Sequence, residues 1–482
     1  MRNISGCAAK ATRCFEEPVG RATREAALVH LTRVLADYTH GLSLDALPLR
    51  TREMVSSCIV DLLGATIAGH GQPGPVAIRA SAGNTFGSGS ASIWMTGRTA
   101  SLLAAVFANS AAASALDLDD GNRAARGHPG AAIIPAVLTA ADVSGRTATR
   151  DVVPAIVAGY EIGVRIAAAQ NPEGIATRQT GRWASFATVA ALGRLYRVVP
   201  DKVAQGLAIA GVLAPNQQAN GSSGYSRMTG NDVKEGIAWS AALGVQALFL
   251  AMEGFTGPLD LLDHSGYYDD ESIRSGLGQR FKIEDTYFKP WSCCRYIHPA
   301  LDALDDVMQQ YRPASERIAA IDVATFSWAL RLDNDCEPET LVSLQYSLPY
   351  CLAAAVIEGS QSLAPATAGL LGRNDIADLA RKVSLTVDRE AERDFPARTR
   401  AGVAVVMVDG SRFETGLVDP LGDPARPMSK EGITEKFRFV TRHVIGPQKQ
   451  QALIDGVKRV GDGDAGELLD ALRDRLLFRD YT

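Results

Sequence analysis

The feature that most restricts the fold is a series of alanine-rich apolar segments that fills the first half of the chain. Each segment is long enough for a helix, and alanine is the best helix former. Glycine or proline separates the segments, as expected for loops between helices. The segments are 23–41, 52–69, 101–116, 131–143, 152–168, 183–195, 200–213 and 233–252. We therefore predict a large all-α domain, preceded by a loose N-terminal extension over residues 1–22.

The sequence changes character after about residue 287, where strand-like segments rich in Val, Ile, Thr and Phe appear. These segments are 318–332, 382–388 and 403–417, the last with an Asp409-Gly410 turn signal. Helical patterns occur over 343–358, 374–382, 429–445 and 448–478. We predict a mainly α protein, in which a discontinuous helical domain (1–286 and 428–482) is interrupted by a smaller α+β lid domain (287–427).

Composition and motifs exclude several classes of protein. A chain of 482 residues exceeds the usual size of one hydrophobic core. A net charge of −5 indicates no basic surface for binding nucleic acid or an anionic membrane. Apolar stretches such as 102–116 are too short, and too interrupted by Asn109 and Ser110, to span a bilayer, which needs about 20 predominantly apolar residues. Seven cysteines without CxxC spacing indicate neither a disulfide framework nor a zinc module, which favours the cytoplasm. Dinucleotide, P-loop, zinc-protease and serine-hydrolase motifs are absent from the sequence.

The first segment that could carry chemistry is ALDLDDGNRAARGHPGAAIIP, residues 115–135. A buried helix is predicted to end in Asp117, Asp119 and Asp120, and His128 precedes the next helix. Clustered carboxylates perturb one another's pKa where water is excluded, and a histidine exchanges protons near neutral pH. Two alternatives stay open for this segment. The acids could simply cap a helix, or they could bind a divalent metal, for which the helical domain offers no second acidic cluster.

Two further segments contain polar residues that the apolar pattern of the neighbouring helices does not require. Residues 287–300, YFKPWSCCRYIHPA, place Lys289, Arg295 and His298 at the predicted domain boundary, in a mixture suited to binding carboxylates. The alternative is a solvated linker with buried cysteines. Residues 214–236 form a long Gly/Ser-rich loop whose donors include Tyr225 and Ser226. Loops of this length are often functional, and a plain surface loop is the alternative.

Several segments together resemble the MmgE/PrpD family, over most of the chain after about residue 40. The matching pieces are DLLGATIAG, IWMTGRTASLLAAVFANSAAASALDLDDGNRAARGHPGAAIIPA, GIAWSAALGVQALFLAMEGFTGPLDLLD, FKPWSCCRYIHPALDAL and LQYSLPYCLAAAVIEG. The family contains 2-methylcitrate dehydratase, cis-aconitate decarboxylase and iminodisuccinate epimerase. The resemblance implies an enzyme without a metal or organic cofactor, generally a homodimer, with its site between the helical and lid domains.

The resemblance assigns roles to particular residues. The family's D-x-D-D and H-P patterns fall on Asp117, Asp119, Asp120 and His128, and its F-K-P lysine falls on Lys289. Its C-R-x-x-H-P pattern falls on Cys294, Arg295, His298 and Pro299. Asp117, His128 and Lys289 are thereby implied to be catalytic, whereas Asp120, Arg295 and His298 are implied to bind the substrate or to form the wall of the site.

The chain departs from the family pattern at three places. Gly121 stands where many members have threonine, and Trp183 lies where many have a His-Pro segment. Tyr225 or Ser226 stands where many have a lysine. We expect Tyr225 to act as a substitute proton-transfer group and Ser226 to contact the substrate. Trp183 is expected to line a pocket that accepts a larger or less charged substrate.

The chemistry implied is removal of a proton or of carbon dioxide next to a carboxylate of a small polycarboxylate. We hypothesise that Asp117 and His128 form the acid–base pair, and that Lys289 and Arg295 hold substrate carboxylates. A dehydratase-like β-elimination is the first interpretation, epimerisation is the runner-up, and decarboxylation is the third. A degenerate binding protein is the non-enzyme alternative. It is favoured if Asp117, His128 and Lys289 do not converge on one cavity.

Overall fold

The computed structural model describes residues 29–216 and 230–475, and within these ranges the chain is mainly helical. The helices of the first part are α1 (Leu31–Gly41), α2 (Leu49–Gly69), α3 (Pro73–Phe86), α4 (Leu102–Ser114), α5 (Pro129–Ser144), α6 (Thr149–Ala168), α7 (Thr180–Leu195), α8 (Pro200–Leu213), α9 (Ile237–Met252) and α10 (Asp270–Arg274). Except for α3 and α10, they follow the predicted segments closely. The predicted extension 1–22 and the cap Thr23 lie outside the described residues.

Helices α5, α6 and α7 form the centre of this part, because most of their residues are apolar or small and are buried. All residues of α7 are buried, and α6 is buried over most of its length. One hydrophobic core joins these helices to α1, α2, α8 and α9. Two short antiparallel strand pairs accompany them. The first pairs β1 (Ala91–Ile93) with β2 (Arg98–Ala100), and the second pairs β3 (Gly121–Asn122) with β4 (Thr286–Tyr287).

The last helices return to the same core. They are α16 (Lys430–Thr441), α17 (Pro447–Asp462) and α18 (Gly466–Arg473). Helix α16 packs against α2, where the buried Lys436 Nζ lies 2.5 Å from Asp61 Oδ1 and donates to the carbonyl of Leu118 at 2.8 Å. We call residues 29–286 and 428–475, as far as they are described, the helical body.

A second hydrophobic core lies between these two stretches of the helical body. Its elements are α11 (His298–Tyr311), β5 (Ile318–Thr325), α12 (Leu341–Gln345), α13 (Leu348–Glu358), α14 (Asn374–Ala380), β6 (Val383–Val387), α15 (Arg389–Asp394), β7 (Gly402–Met407) and β8 (Arg412–Glu414). The strand order is β6-β5-β7-β8, with β5 and β6 parallel and the other pairs antiparallel. We call residues 291–423 the sheet unit.

Some local predictions differ from the structure. Helices α3, α10, α11 and α15 were not predicted. Helix α3 contains two glycines and two prolines, and α11 begins inside a segment that we interpreted as polar. The predicted helix 343–358 is broken after Gln345, because the Ser347 hydroxyl accepts a hydrogen bond from the Tyr350 amide and starts α13. The strand predicted over 318–332 ends at Thr325. By contrast, β7 and β8 form the hairpin that the Asp409-Gly410 signal predicts.

The two connections between the helical body and the sheet unit run side by side. The Phe288 amide donates to the Gly422 carbonyl at 3.1 Å. A Cβ atom on Gly422 would lie only 2.0 Å from the Phe288 carbonyl oxygen, and the φ of Gly422 is +91°. Glycine is therefore required where the chain returns from the sheet unit, because any side chain would prevent this close approach.

Among the described residues, no single helix has both the length and the apolar composition needed to cross a membrane. Helices α2 and α3 meet both conditions only when taken together, and they are bent by 90° where they join.

Candidate active site

A cavity of about 390 Å³ lies where the sheet unit faces the helical body. The helical body contributes its polar wall, which includes Asp117, Arg126, His128, Arg178 and Glu235. The sheet unit contributes a largely aromatic wall with Tyr296, Trp328, Tyr346 and Phe395. The cavity is thus polar on one side and apolar on the other, an arrangement typical of small-molecule sites.

Asp117, His128 and Lys289 meet at the polar wall. Lys289 Nζ lies 3.2 Å from Asp117 Oδ1 and 3.4 Å from His128 Nδ1, and His128 Nε2 lies 3.4 Å from the same Asp117 oxygen. Asp117 and His128 line the cavity, whereas the Lys289 side chain is fully buried behind them. In this conformation Lys289 therefore contacts Asp117 and His128 and does not face the cavity. We had expected it to hold a substrate carboxylate directly.

Local structure explains how these three side chains converge. Asp117 follows the end of α4 in a left-handed backbone conformation (φ +52°), which turns the chain sharply and aims its carboxylate at the cavity. His128 is the residue immediately before α5, and its amide donates to Thr180 Oγ1 at 3.0 Å. Lys289 follows β4, whose pairing with β3 holds the two segments together.

The charges around His128 favour its protonated form at neutral pH. Burial and the Lys289 ammonium both oppose its protonation, but the Asp119 and Glu235 carboxylates outweigh them and raise the pKa of His128 to about 9. Burial opposes ionisation of Asp117, yet the charges of Lys289, Lys234 and His128 hold the pKa of its carboxyl below its usual range. At neutral pH the cavity wall thus carries an imidazolium beside a carboxylate.

Asp120 lies away from the cavity, although the resemblance implied that it binds the substrate. Its carboxylate accepts hydrogen bonds from the Tyr160 hydroxyl at 2.5 Å and from the Gly130 amide at 3.0 Å. Burial raises the pKa of Asp120 to about 7. The Tyr160 hydrogen bond opposes this shift, and the nearby Asp61 and Asp119 carboxylates reinforce it. Asp120 therefore fixes the start of α5, and so the position of His128.

We expect Asp120→Asn to remove a pH dependence of stability. An unfolded aspartate releases its proton near pH 4, whereas folded Asp120 retains it to about pH 7, so wild-type stability falls as pH rises through this interval. From about pH 4 to about pH 7, the free energy of unfolding of the variant should rise relative to that of wild type by on the order of 3 kcal/mol. Urea unfolding across this range measures it, with the exposed Asp378→Asn as the control for a lost charge. Parallel stability curves for wild type and Asp120→Asn would contradict the assignment.

Lys234 and Glu235 belong to the site and were missed in the sequence. Lys234 Nζ donates to the Ser114 carbonyl at 2.7 Å and to Gln345 Oε1 at 3.0 Å, next to the Asp117 turn. Glu235 lines the cavity, with Oε1 3.8 Å from His128 Nε2 and Oε2 accepting from the Thr180 hydroxyl at 2.6 Å. Lys234 thus places a lysine beside Asp117 in this part of the site.

Arg295 is at the cavity wall, as expected, but it is already paired. Its Nη2 lies 2.8 Å from Asp423 Oδ1, its Nη1 donates to the Leu421 carbonyl at 3.1 Å, and its guanidinium stacks 4.8 Å from the Tyr287 ring centre. Arg123 also pairs with Asp423. Arg295 thus joins the two connections of the sheet unit, in addition to facing the cavity.

Two other predicted residues lie away from the cavity. Trp183 is fully buried in α7, so the expectation that it lines a larger pocket does not agree with the structure. His298 is fully buried at the start of α11, where its Nε2 lies 3.1 Å from the Cys293 carbonyl and its ring lies against Trp291. Tyr225 and Ser226 lie outside the described residues, so their expected roles remain predictions.

The departure at Gly121 has a direct structural reason. Gly121 lies opposite Tyr287 in the β3–β4 pair, and a Cβ atom there would lie 2.3 Å from the Tyr287 phenol. Tyr287 occupies the space that a side chain at position 121 would need, and it lines the cavity. A threonine at position 121 is therefore incompatible with the position of Tyr287 in this chain.

We expect Gly121→Ala to lower the free energy of unfolding by about 1–3 kcal/mol, because overpacking forces the Tyr287 ring to move. Gly83→Ala in α3 is the matched control, since a Cβ atom there meets nothing within 4 Å. That change should be neutral or slightly stabilising, as expected for Gly→Ala within a helix. Urea unfolding of both variants measures the difference, and similar effects of the two substitutions would contradict the packing argument.

The cluster also has a geometry that can hold a metal ion. One ligand atom each from Asp117, Asp119 and His128 lies within 4.8 Å of the others. Lys289 Nζ lies 3.2 Å from Asp117 Oδ1 and 4.0 Å from Asp119 Oδ1. The lysine thus places a positive charge beside the oxygens that a cation would use, and the two would compete for them.

The fold and the cavity define a class of mainly helical proteins in which an α+β unit interrupts a helical body and closes one side of an acid–base cluster. Residues 33–272 match the model of the MmgE/PrpD N-terminal domain, and residues 291–461 match the model of the MmgE/PrpD C-terminal domain. The chain belongs to the MmgE/PrpD family, as the sequence resemblance predicted.

Three curated relatives of this chain are named as cis-aconitate decarboxylases or as a protein like them. A cis-aconitate decarboxylase of Aspergillus terreus is 26% identical over 395 residues, which cover 75% of this chain and 79% of the relative. A cis-aconitate decarboxylase-like protein of Aspergillus oryzae (strain ATCC 42149 / RIB 40) is 25% identical, covering 76% and 81%. The cis-aconitate decarboxylase of Homo sapiens is 24% identical, covering 92% and 95%.

Proposed function

We propose that this protein is a lyase that acts on a small polycarboxylate without a metal or organic cofactor. The observation that supports this most is the contact of Asp117, His128 and Lys289 at the wall of one cavity. Among residues 29–216 and 230–475, the cations in and directly behind this wall are Arg123, Arg126, His128, Arg178, Lys234, Lys289 and Arg295. They outnumber the carboxylates Asp117, Asp119, Glu235 and Asp423, so the site favours a polyanion.

In the proposed elimination, Asp117 takes the proton from the carbon next to a substrate carboxylate. The His128 imidazolium donates its proton to the leaving hydroxyl group, which departs as water. Lys289 and Lys234 keep Asp117 ionised, and the cationic wall stabilises the enolate-like charge that develops on the substrate carboxylate. The aromatic wall of the sheet unit faces these groups with apolar surface, and charge–charge interactions are stronger beside such a surface than in bulk water.

Decarboxylation is the second candidate, and the names of the relatives favour it. This reaction needs no base. The carbon–carbon bond to the departing carboxylate breaks, carbon dioxide leaves, and the electron pair left on carbon takes a proton. A histidine that is protonated at neutral pH and lines the cavity, as His128 does, suits the role of that proton donor. A degenerate binding protein is disfavoured, because Asp117 and His128 line one cavity and Lys289 contacts both of them.

The test is proton NMR of the purified, EDTA-treated protein in deuterated buffer with citrate, methylcitrate, aconitate, malate and iminodisuccinate. Elimination gives a new vinyl signal from a hydroxy acid, whereas decarboxylation of aconitate gives a product with one carbon fewer. Either reaction should persist after EDTA treatment and vanish in Lys289→Ala. No turnover of any compound would overturn the proposal, and activity that EDTA abolishes would overturn its cofactor independence.

A further inference from the structure

Arg126 and Arg178 differ from the other arginines of the cavity because neither has a carboxylate partner among the described residues. Arg123 and Arg295 share Asp423. Among the described residues, the Arg178 guanidinium donates to one neutral acceptor, the Gln170 carbonyl, at 2.6 Å. The Arg126 side chain makes no hydrogen bond or ion pair within residues 29–216 and 230–475, although it lines the cavity. Two positive charges therefore face the cavity without a carboxylate partner in the described part of the chain.

The two arginines are close enough to repel each other. Burial lowers the pKa of Arg178, and the charge of Arg126 lowers it further. Their positions along the chain place them beside the acid–base cluster. Arg126 is two residues before His128, and Arg178 is two residues before Thr180, the residue that contacts both the His128 amide and Glu235. A bound anion would relieve the repulsion while the substrate lies against His128.

The sheet unit covers this part of the cavity with aromatic rings. The Arg126 guanidinium carbon lies 5.9 Å from the centres of both the Trp328 and Phe395 rings, and these two rings stack on each other at 6.2 Å. A guanidinium can stack on an aromatic face and still offer its N–H edge to a carboxylate. The rings therefore hold Arg126 in place without neutralising its charge.

We propose that Arg126 and Arg178 form a distal carboxylate site, which selects substrates with a further carboxylate remote from the reacting carbon. This inference rests on the proposed function and narrows it to tricarboxylates and similar compounds. Arg123 and Arg295 are less suited to the role because both are already paired with Asp423. Arginine is also the residue whose N–H groups match a carboxylate in a bidentate manner.

The test is calorimetric binding to the full-length protein of two unreactive ligands that differ by one carboxylate. Tricarballylate has three carboxylates, and methylsuccinate replaces one carboxymethyl arm with a methyl group. We expect wild type to bind tricarballylate about 10- to 100-fold more tightly. Arg126→Gln and Arg178→Gln should each remove most of this preference and leave methylsuccinate affinity unchanged. The exposed Arg280→Gln is the control for a lost positive charge.

Three other outcomes would count against the inference in different ways. Equal affinity of wild type for both ligands would overturn it. Loss of affinity for both ligands in the glutamine variants would show a structural role and overturn it as well. Failure of wild type to bind either ligand would overturn the proposed polycarboxylate function itself. Because binding needs no turnover, the first two outcomes are distinguishable from failure of the proposed reaction.

Discussion

Replacing His128 by asparagine is expected to lower turnover of a verified polycarboxylate substrate by roughly 100-fold or more. The reason is that His128 is the protonated group at the cavity wall, with Nε2 3.4 Å from Asp117, and asparagine cannot donate a proton to a leaving group or a carbanion. The pKa of His128 is raised to about 9, so wild-type kcat/KM should fall above about pH 9 as the imidazolium is lost. This decline should be absent from the residual activity of the variant.

The control for His128→Asn is His264→Asn, which removes an exposed histidine outside the cavity. Circular dichroism and thermal unfolding should show both variants folded. Turnover equal to wild type in His128→Asn would remove the residue from the mechanism. Reduced turnover with an unchanged alkaline limb would show that another group donates the proton.

Replacing Lys289 by methionine is expected to have the largest effect on stability. Lys289 is fully buried between Asp117 and Asp119, so its loss leaves two buried carboxylates with less compensating charge. Breaking a buried ion pair by removing one partner typically costs about 3–5 kcal/mol. The cost should be smaller at about pH 5 than at about pH 7, because Asp117 and Asp119 take up protons more readily once the ammonium is gone.

Two variants make this prediction specific. The double variant Lys289→Met/Asp117→Asn removes both partners and should recover part of the lost stability. Lys458→Met removes an exposed lysine that lies 3.5 Å from Asp455, and it should change stability little. Urea unfolding at the two pH values measures all four proteins. A loss in Lys289→Met that is independent of pH and unaffected by Asp117→Asn would point to packing and contradict the electrostatic explanation.

The site residues that could be predicted from the sequence are those that stand out within a short stretch of chain. Asp117 and His128 follow from a polar interruption between two apolar helices, and Lys289 follows from a basic residue at a change of pattern. Lys234 was missed because we interpreted it as part of the polar loop 214–236. The available signal was its position next to the buried helix α9, where a charged residue must have partners.

The remainder depends on contacts that are distant in sequence. Asp423 is the partner of both Arg123 and Arg295, and nothing near either arginine indicates this pairing. Trp183 was expected at the pocket because it replaces a polar segment, but α7 is buried on all faces. The aromatic wall was also unpredicted, since Trp328 and Phe395 occur in segments whose pattern indicated only strand or loop. Spacing indicates which face a residue occupies along an element, but not which element will pack against it.

The side-by-side connections at Phe288 and Gly422 have a mechanical consequence. A hydrogen bond joins the outgoing and returning chains at this point. Asp423, the residue after Gly422, also pairs with Arg123 of the helical body and Arg295 of the sheet unit. Because Lys289 directly follows Phe288, its backbone is held by these contacts on both sides. A displacement of the sheet unit at this point would therefore move the lysine that keeps Asp117 ionised, which couples the position of the sheet unit to the charges of the cluster.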